Sequence, residues 1–194
     1  RVRTTCGDLN QGDLSRVLEE DKNARGVMDA IERIAQDKKT IIFTVSVAQA
    51  EKMCAISNLL RPNSSCVITG TTPENKREEI HKSFKERSIT RLFNCAVLTE
   101  GYDDPDIEIV AVARLTKSKS LYQQMIGRGL RPVEELASKL VDMSQEERLF
   151  AIECSRKPEC LILDFCGNAG KHKLVTLVDV LGGNYPEDIR EKVS

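Results

Sequence analysis

The chain has 194 residues and a formal net charge of −1, with 40% hydrophobic, 30% charged and 4% aromatic residues and no Trp. This composition supports a packed core and argues against disorder. The near-neutral charge confines any nucleic-acid-binding surface to local patches, and the few aromatics argue against a stacking platform for single strands. No apolar run approaches the roughly 20 residues that cross a bilayer, so we expect no membrane partner.

The cysteines favour a reducing compartment. They are widely spread and form no CxxC pair, so we expect buried thiols in a cytoplasmic protein; they lie at Cys6, Cys54, Cys66, Cys95, Cys154, Cys160 and Cys166. The best metal alternative combines Cys154, Cys160, Cys166 and His172, but its spacing is loose and we predict no metal site. Because the chain begins with Arg1, we expect it to be a piece of a longer protein.

Helical and extended patterns alternate along the chain. We predict helices at 13–21, 24–37, 47–60, 73–86, 118–126, 135–140 and 145–155. The second and third helices are expected to bury Val27, Ala30, Ile31, Ile34 and Ala35, and Ala48, Met53, Ile56, Leu59 and Leu60, respectively.

The predicted strands are short and nearly all apolar, at 40–44, 65–69, 91–98, 107–113, 160–165 and 174–178. Such strands between helices predict an α/β fold with a mainly parallel sheet and helices on both faces. Ligands of these sheets bind beyond the carboxyl ends of the strands. Polar clusters follow four strands there, at residues 44–46, 70–71, 99–103 and 114–116.

The most specific motif is Gln-x-x-Gly-Arg-x-x-Arg, formed by Gln124, Gly127, Arg128 and Arg131. A guanidinium is always charged and suits phosphate oxygens, and an arginine at a transferring phosphoryl group stabilises the transition state. We expect Gly127 to let the backbone come close at the turn, where a side chain would obstruct. The alternative is a pair of surface arginines after a helix.

A second cluster, residues 94–105, leaves a strand and turns at Gly101. Asp103 can accept hydrogen bonds from ribose hydroxyls, while Asn94 and Thr99 can donate to phosphates. The alternative is an acidic surface turn closed by Pro105.

A third cluster, residues 69–72, joins a strand to a helix. Free amides at a helix N-terminus attract phosphate. The alternative is simple capping of the helix by Thr71 and Thr72.

Together these segments resemble the C-terminal RecA-like domain of superfamily 2 helicases, which include the DEAD/DEAH-box and XPB-type proteins. The resemblance covers residues 25–168, with 40–44 similar to motif IV, 94–105 to motif V and 124–131 to motif VI. Between motifs IV and V, the chain has the family's usual succession of Gly70, Arg77 and Phe84. Residues 98–105 look most like the restriction-enzyme and XPB-type DNA helicases, often carried by phages and mobile elements.

The resemblance implies a three-layer α/β/α domain and a role for each motif. Arg128 and Arg131 would reach the γ-phosphate of ATP, with Gln124 and Gly127 beside the phosphates. Gly101 and Asp103 would meet the ribose or couple the nucleotide to the nucleic acid. The nucleic-acid backbone would face Thr44, Ser46, Gly70, Thr71, Asn94, Cys95 and Thr99.

The chain departs from the family in several places. Cys95 stands where DEAD-box proteins have Thr, Gln124 stands where they have His, and Asp104 replaces the usual apolar residue before Pro. The phosphate-binding pattern Gly-x-x-x-x-Gly-Lys-Ser/Thr is absent, as are Asp-Glu-x-Asp and Asp-Glu-x-His; residues 167–172 approach the first with the wrong spacing. The family carries these elements on an N-terminal RecA-like domain.

We therefore expect the second motor domain of an ATP-dependent DNA helicase or translocase. ATP and Mg²⁺ would be held mainly by the N-terminal domain of the parent protein, so the isolated chain would be inactive. The predicted organisation is a lead-in at 1–24, the RecA-like domain at 25–168 and an extension at 169–194. The alternatives are an RNA helicase domain and a non-catalytic RecA-like module that binds nucleic acid or a protein.

Overall fold

The computed structural model describes residues 4–5, 8–9, 21–95, 104–116 and 118–168. Within them, a short antiparallel hairpin of β1 (Thr4–Thr5) and β2 (Asp8–Leu9) precedes the main sheet. Most of the predicted helix at 13–21, the end of the strand at 91–98 and the strand at 174–178 lie outside the described residues.

Among the described residues, the main sheet has five strands, all parallel to their neighbours. They are β3 (Thr40–Thr44), β4 (Ser65–Ile68), β5 (Arg91–Cys95), β6 (Ile109–Ala113) and β7 (Leu161–Asp164), in the order β4-β5-β3-β6-β7. The central strand β3 is buried along its whole length because β5 and β6 flank it and helices cover both faces. The predicted parallel α/β sheet is confirmed.

The helices are α1 (Asp21–Ala35), α2 (Val47–Leu60), α3 (Glu74–Lys85), α4 (Lys119–Gly127), α5 (Glu134–Ala137) and α6 (Gln145–Glu153), with a 3₁₀ turn at Lys139–Asp142. Pro73 is the N-cap of α3 and Ser118 is the N-cap of α4. The predicted helix at 135–140 is therefore a short α-helix followed by a tighter turn.

Two hydrophobic cores lie on opposite faces of the sheet. Alternate residues of a strand point to opposite faces, so Ile41 and Phe43 pack with α3 and α4, whereas Ile42 packs with α1 and α2. This arrangement gives the three layers that the resemblance implies.

The predicted buried faces of α1 and α2 were partly wrong. In α1, Ile34 is 40% exposed, while Met28 is fully buried. In α2, Leu59 is 79% exposed and Leu60 is also exposed. Ala48 is exposed as well, whereas Met53 is buried as predicted. The other buried residues of α2 are Gln49, Ala50, Cys54 and Ser57. The buried face of α2 is partly polar because Gln49 and Ser57 make hydrogen bonds on it. The spacing of apolar residues alone therefore assigns the wrong face of α2 to the core.

Two buried ion pairs close the amino-terminal edge of the sheet. The Arg91 guanidinium donates from Nε and Nη2 to the two carboxylate oxygens of Glu32, at 3.2 and 3.1 Å, and so ties β5 to α1. Lys39 Nζ lies 2.6 Å from Asp104 Oδ2 and 4.9 Å from the ring centre of Phe84. The chain entering β6 is thereby anchored beside the central strand, which accounts for an acidic residue at position 104.

Candidate functional site

Four predicted nucleic-acid-facing residues meet at the carboxyl ends of β3 and β5. Thr44 Oγ1 donates to the carbonyl oxygens of Asn94 and Ser46, at 3.1 and 3.2 Å. Cys95 Sγ donates to the Val45 carbonyl at 3.6 Å. The two strand ends are therefore joined by side chains as well as by the sheet.

These side chains hold the backbone in place at the carboxyl edge of the sheet. Burial raises the pKa of Cys95, so its thiol stays protonated, and a thiol is a weak donor. The Thr44 hydroxyl has one proton, which is directed at backbone carbonyls. Ser46 caps α2 by accepting from the Gln49 amide at 3.0 Å. Thr44, Asn94 and Cys95 are buried and Ser46 is partly exposed, so these side chains order the two strand ends from within.

Gln49 is a positioning residue that sequence reasoning missed. Its Oε1 accepts from the Val45 amide at 2.8 Å and its Nε2 donates to the Ala113 carbonyl at 3.2 Å. One buried amide group therefore ties the end of β3 to the end of β6. The signal was present, since Ser46-x-x-Gln49 is a capping-box pattern.

The turn after β4 carries Gly70 and Thr71, both exposed. The alternative of threonine capping is wrong, because the N-cap of α3 is Pro73 and no side chain caps this helix. Instead Thr72 Oγ1 accepts from the Thr69 amide at 2.9 Å, and the Thr69 and Thr71 hydroxyls lie 3.0 Å apart. The hydroxyls stabilise the turn itself.

Residues 114–116 are held at the end of β6 by a second missed residue, Asn168. Its Oδ1 accepts from the Thr116 amide at 2.8 Å, and its Nδ2 donates to the Arg114 carbonyl at 2.9 Å. The Arg114 side chain is buried, and its Nε has no hydrogen-bond partner among the described residues. Asn168 thus orders a strand end, although the sequence suggested only a poor match to a phosphate loop.

The motif VI residues lie at the other end of α4. Arg128 is the C-cap of α4 and is half-buried, whereas Gln124 and Arg131 are exposed. The nine-residue helix begins at the carboxyl edge and runs for about 13 Å, at about 1.5 Å per residue. The structure therefore separates the arginines from the cluster at Thr44 and Cys95, giving two surfaces.

Gly129, and not Gly127, is the glycine that close packing requires. A Cβ atom added at Gly127 would meet nothing within 4 Å, so the expected obstruction there was wrong. A Cβ atom at Gly129 would lie 2.4 Å from Cys160 Sγ and 2.6 Å from Val110 Cγ2. The chain between the two arginines lies directly on β6 and on the entrance to β7.

Three predicted site residues, Thr99, Gly101 and Asp103, lie outside the described residues, as does His172. The part of the chain that the structure describes contains no group of three or more His, Cys, Asp or Glu side chains arranged to hold a metal ion. None of its helices is long and apolar enough to cross a membrane.

The fold and the order of these motifs define a RecA-like helicase C-terminal domain. Residues 23–133 match the helicase conserved C-terminal domain, more than half of the chain, and the protein belongs to that family. The resemblance stated from the motifs is confirmed at this level.

The relatives support the same class. The chain is 32% identical over 139 residues to IRC3 of Saccharomyces cerevisiae, which is named as an ATP-dependent helicase; the match covers 67% of this chain and 19% of that protein. The chain thus spans about a fifth of that relative.

Among solved structures, a fragment assigned as the HsdR subunit of a type I restriction enzyme from Vibrio vulnificus has a TM-score of 0.63 at 23% identity, over 91% of this chain and 32% of that one. Domain 2 of the DEAD-box helicase Mss116p, bound to an RNA duplex, has a TM-score of 0.52 at 20% identity, over 78% and 51%. Both likenesses concern the fold.

Proposed function

We propose that this chain is the second motor domain of an ATP-dependent DNA helicase or translocase. In this role Arg128 and Arg131 contact the γ-phosphate of ATP, which is bound between this domain and an N-terminal RecA-like domain of the parent protein. The carboxyl edge of the sheet grips the nucleic-acid backbone.

The observation that carries this proposal is the placement of motif VI. Arg131 is exposed and Arg128 is half-buried, on a backbone that packs against β6 and the entrance to β7 through Gly129. A guanidinium on a rigid support can meet a phosphate without a large entropic cost, which is what an arginine finger requires. Arg128 and Arg131 thus fit the phosphates of ATP, and we propose that Mg²⁺ is held by the N-terminal domain.

The carboxyl edge supports the nucleic-acid role. Gly70 and Thr71 present an exposed turn, and the side chains of Thr44 and Gln49 order the neighbouring strand ends. Arg114 and Arg77 add positive charge, and Arg77 also donates to the Thr72 carbonyl at 3.3 Å. An ordered backbone with nearby arginines suits phosphates of any base sequence, so binding is expected to weaken with salt.

The proposed cycle uses both surfaces. Closure of the two domains brings the arginines onto the γ-phosphate, and hydrolysis releases them. Because the nucleic acid is held one helix length away on the same rigid domain, closure and opening move it relative to the other domain. The preference for DNA follows from the likeness of residues 98–105 to restriction-type helicases.

The test replaces Arg128 and Arg131 singly by Ala in the full-length protein. Loss of an arginine finger lowers kcat by about 10³-fold or more. The KM for ATP changes little where the contact forms only in the transition state. Arg148→Ala is the matched control, since Arg148 is exposed and donates to the carbonyls of Met143 and Val141, neither of which belongs to a motif. Unchanged ATP turnover in both variants would exclude the finger role. If single-stranded RNA stimulates ATP turnover by the unmodified protein and single-stranded DNA does not, the nucleic-acid partner is RNA and the proposed preference for DNA is wrong.

A further inference from the structure

The segment between α6 and β7 contacts the end of motif VI through a buried lysine. Lys157 is only 8% exposed, and its Nζ donates to the Arg131 carbonyl at 2.9 Å and to the Pro105 carbonyl at 2.7 Å. One ammonium group therefore joins the backbone of the second arginine to the turn that ends the motif V segment. Neither the family match, which stops at residue 133, nor the motifs assign a role to this lysine.

Its neighbour Arg156 joins the same two segments through side chains. Arg156 Nη1 lies 2.5 Å from Asp106 Oδ1, in the turn after motif V. Its Nε and Nη2 donate to the two carboxylate oxygens of Glu135, at 3.0 and 3.3 Å, in the helix after motif VI. We call Arg156 and Lys157 the basic latch.

The turn held by the latch is itself fixed to the central strand. Asp104 accepts from Lys39 at 2.6 Å, and its other carboxylate oxygen accepts from the Asp106 amide at 3.0 Å. Contacts therefore run without a break from Lys39, just before β3, through this turn and Lys157 to the Arg131 backbone. A shift of the turn would move the Arg131 carbonyl with it.

Burial of the Lys157 ammonium group carries a desolvation penalty that an apolar side chain would not have. Burial lowers the pKa of Lys157, because desolvation disfavours the charged form of the amine. A methionine would fill the same volume without that desolvation penalty but could not donate two hydrogen bonds. What the lysine adds is the joining of two carbonyl groups from separate motifs.

We propose that Lys157, supported by Arg156, is a positioning residue that fixes Arg131 relative to the motif V turn. This role rests on the proposed function, because it matters for turnover only if Arg131 meets the phosphates of ATP.

The test measures ATP turnover by the full-length protein carrying Lys157→Met, Lys157→Arg, Arg131→Ala or the Lys157→Met and Arg131→Ala pair. Lys157→Met is expected to lower kcat by about 10- to 100-fold, as small misplacements of catalytic groups do. The KM for ATP stays within about twofold because the arginine acts in the transition state. Lys157→Arg, which restores a donor, recovers most of kcat. Lys82→Met, a mostly exposed lysine of α3, is the matched control.

The double variant distinguishes positioning from general destabilisation. If Lys157 acts through Arg131, Lys157→Met lowers kcat by less than about twofold once Arg131 is Ala, since residues that act as a unit are not additive. An equal decrease in both backgrounds, or a normal kcat in Lys157→Met itself, would overturn the latch while leaving the proposed function standing. Normal turnover in both Arg131→Ala and Arg128→Ala would instead overturn the proposed function, and the positioning role with it.

Arg156→Ala provides a second route should Lys157→Met fail to fold. Its side chain is 48% exposed, so its loss costs little stability. A severalfold lower kcat that disappears in the Arg131→Ala background supports the latch. A kcat equal to that of the parent contradicts it.

Discussion

Replacing Gly129 by Ala tests whether motif VI lies on the sheet as described. The new methyl group would lie 2.4 Å from Cys160 Sγ and 2.6 Å from Val110 Cγ2. Neither neighbour gives way easily, because Val110 is β-branched and fully buried and Cys160 has a short side chain. Overpacking of this kind costs about 1–3 kcal/mol, and two contacts this close indicate about 2 kcal/mol.

Gly127→Ala is the matched control two residues earlier. A methyl group there meets nothing within 4 Å, and Gly127 is the last residue of α4. Removing the backbone freedom of a helical glycine is expected to stabilise the fold by about 0.5 kcal/mol. The two glycines thus predict opposite signs for the same substitution.

Urea unfolding of both variants, extrapolated linearly to water, measures the difference. Cys160→Ala should recover part of the loss in the Gly129→Ala background, with a coupling of about 0.5 kcal/mol or more, because it removes the closer of the two contacts. If Gly129→Ala is as stable as Gly127→Ala, motif VI does not pack against β6 in this way.

Three further predictions concern the body of the domain. Arg91→Met removes the guanidinium that holds Glu32 and should cost about 3 kcal/mol in the free energy of unfolding, as loss of one partner of a buried pair does. Arg87→Met, which breaks the more exposed pair with Glu108, should cost less than about 1 kcal/mol, and equal losses would contradict the burial of the first pair. Gln49→Leu leaves the Val45 amide and the Ala113 carbonyl without this partner and should lower the free energy of unfolding by about 2 kcal/mol; the exposed Gln124→Leu should be near neutral, and the same melting temperature for both would refute the tie. Burial raises the pKa values of Cys54, Cys160 and Cys166 to about 12, 11 and 12. At pH 8 iodoacetamide should therefore modify exposed Cys154 at least about tenfold faster than these three, because the thiolate reacts and its fraction falls about tenfold for each unit by which the pKa rises. Similar rates by peptide mass spectrometry would contradict this.

The strands were predictable because the signal for each one lies within its own few residues. A short apolar run bounded by polar residues is enough, so Thr40–Thr44 has the predicted bounds, β5 begins at the predicted Arg91, and the bounds of β4, β6 and β7 lie within two residues of the predicted ones. The buried side of a helix is a different matter. In α2 the buried face includes Gln49 and Ser57, whose hydrogen bonds to distant elements leave no periodic apolar pattern.

Part of the candidate site was likewise predictable from the sequence, and part was not. The spacing of Gln124, Arg128 and Arg131 identifies motif VI, but the sequence assigned the close approach to Gly127 and the structure assigns it to Gly129. The difference depends on Cys160 and Val110, which are distant in sequence, and only the folded chain brings them together. Asn168 and Lys157 act by bonding to backbone carbonyls, a role that leaves no motif.

The most direct test of the account compares ATP turnover by the 194-residue chain alone with that of the full-length protein, each with and without single-stranded DNA. If this domain supplies arginines to a nucleotide held by another domain, the full-length protein hydrolyses ATP and DNA stimulates it, while the chain alone shows no turnover above background. Robust DNA-stimulated hydrolysis by the chain alone would contradict the account.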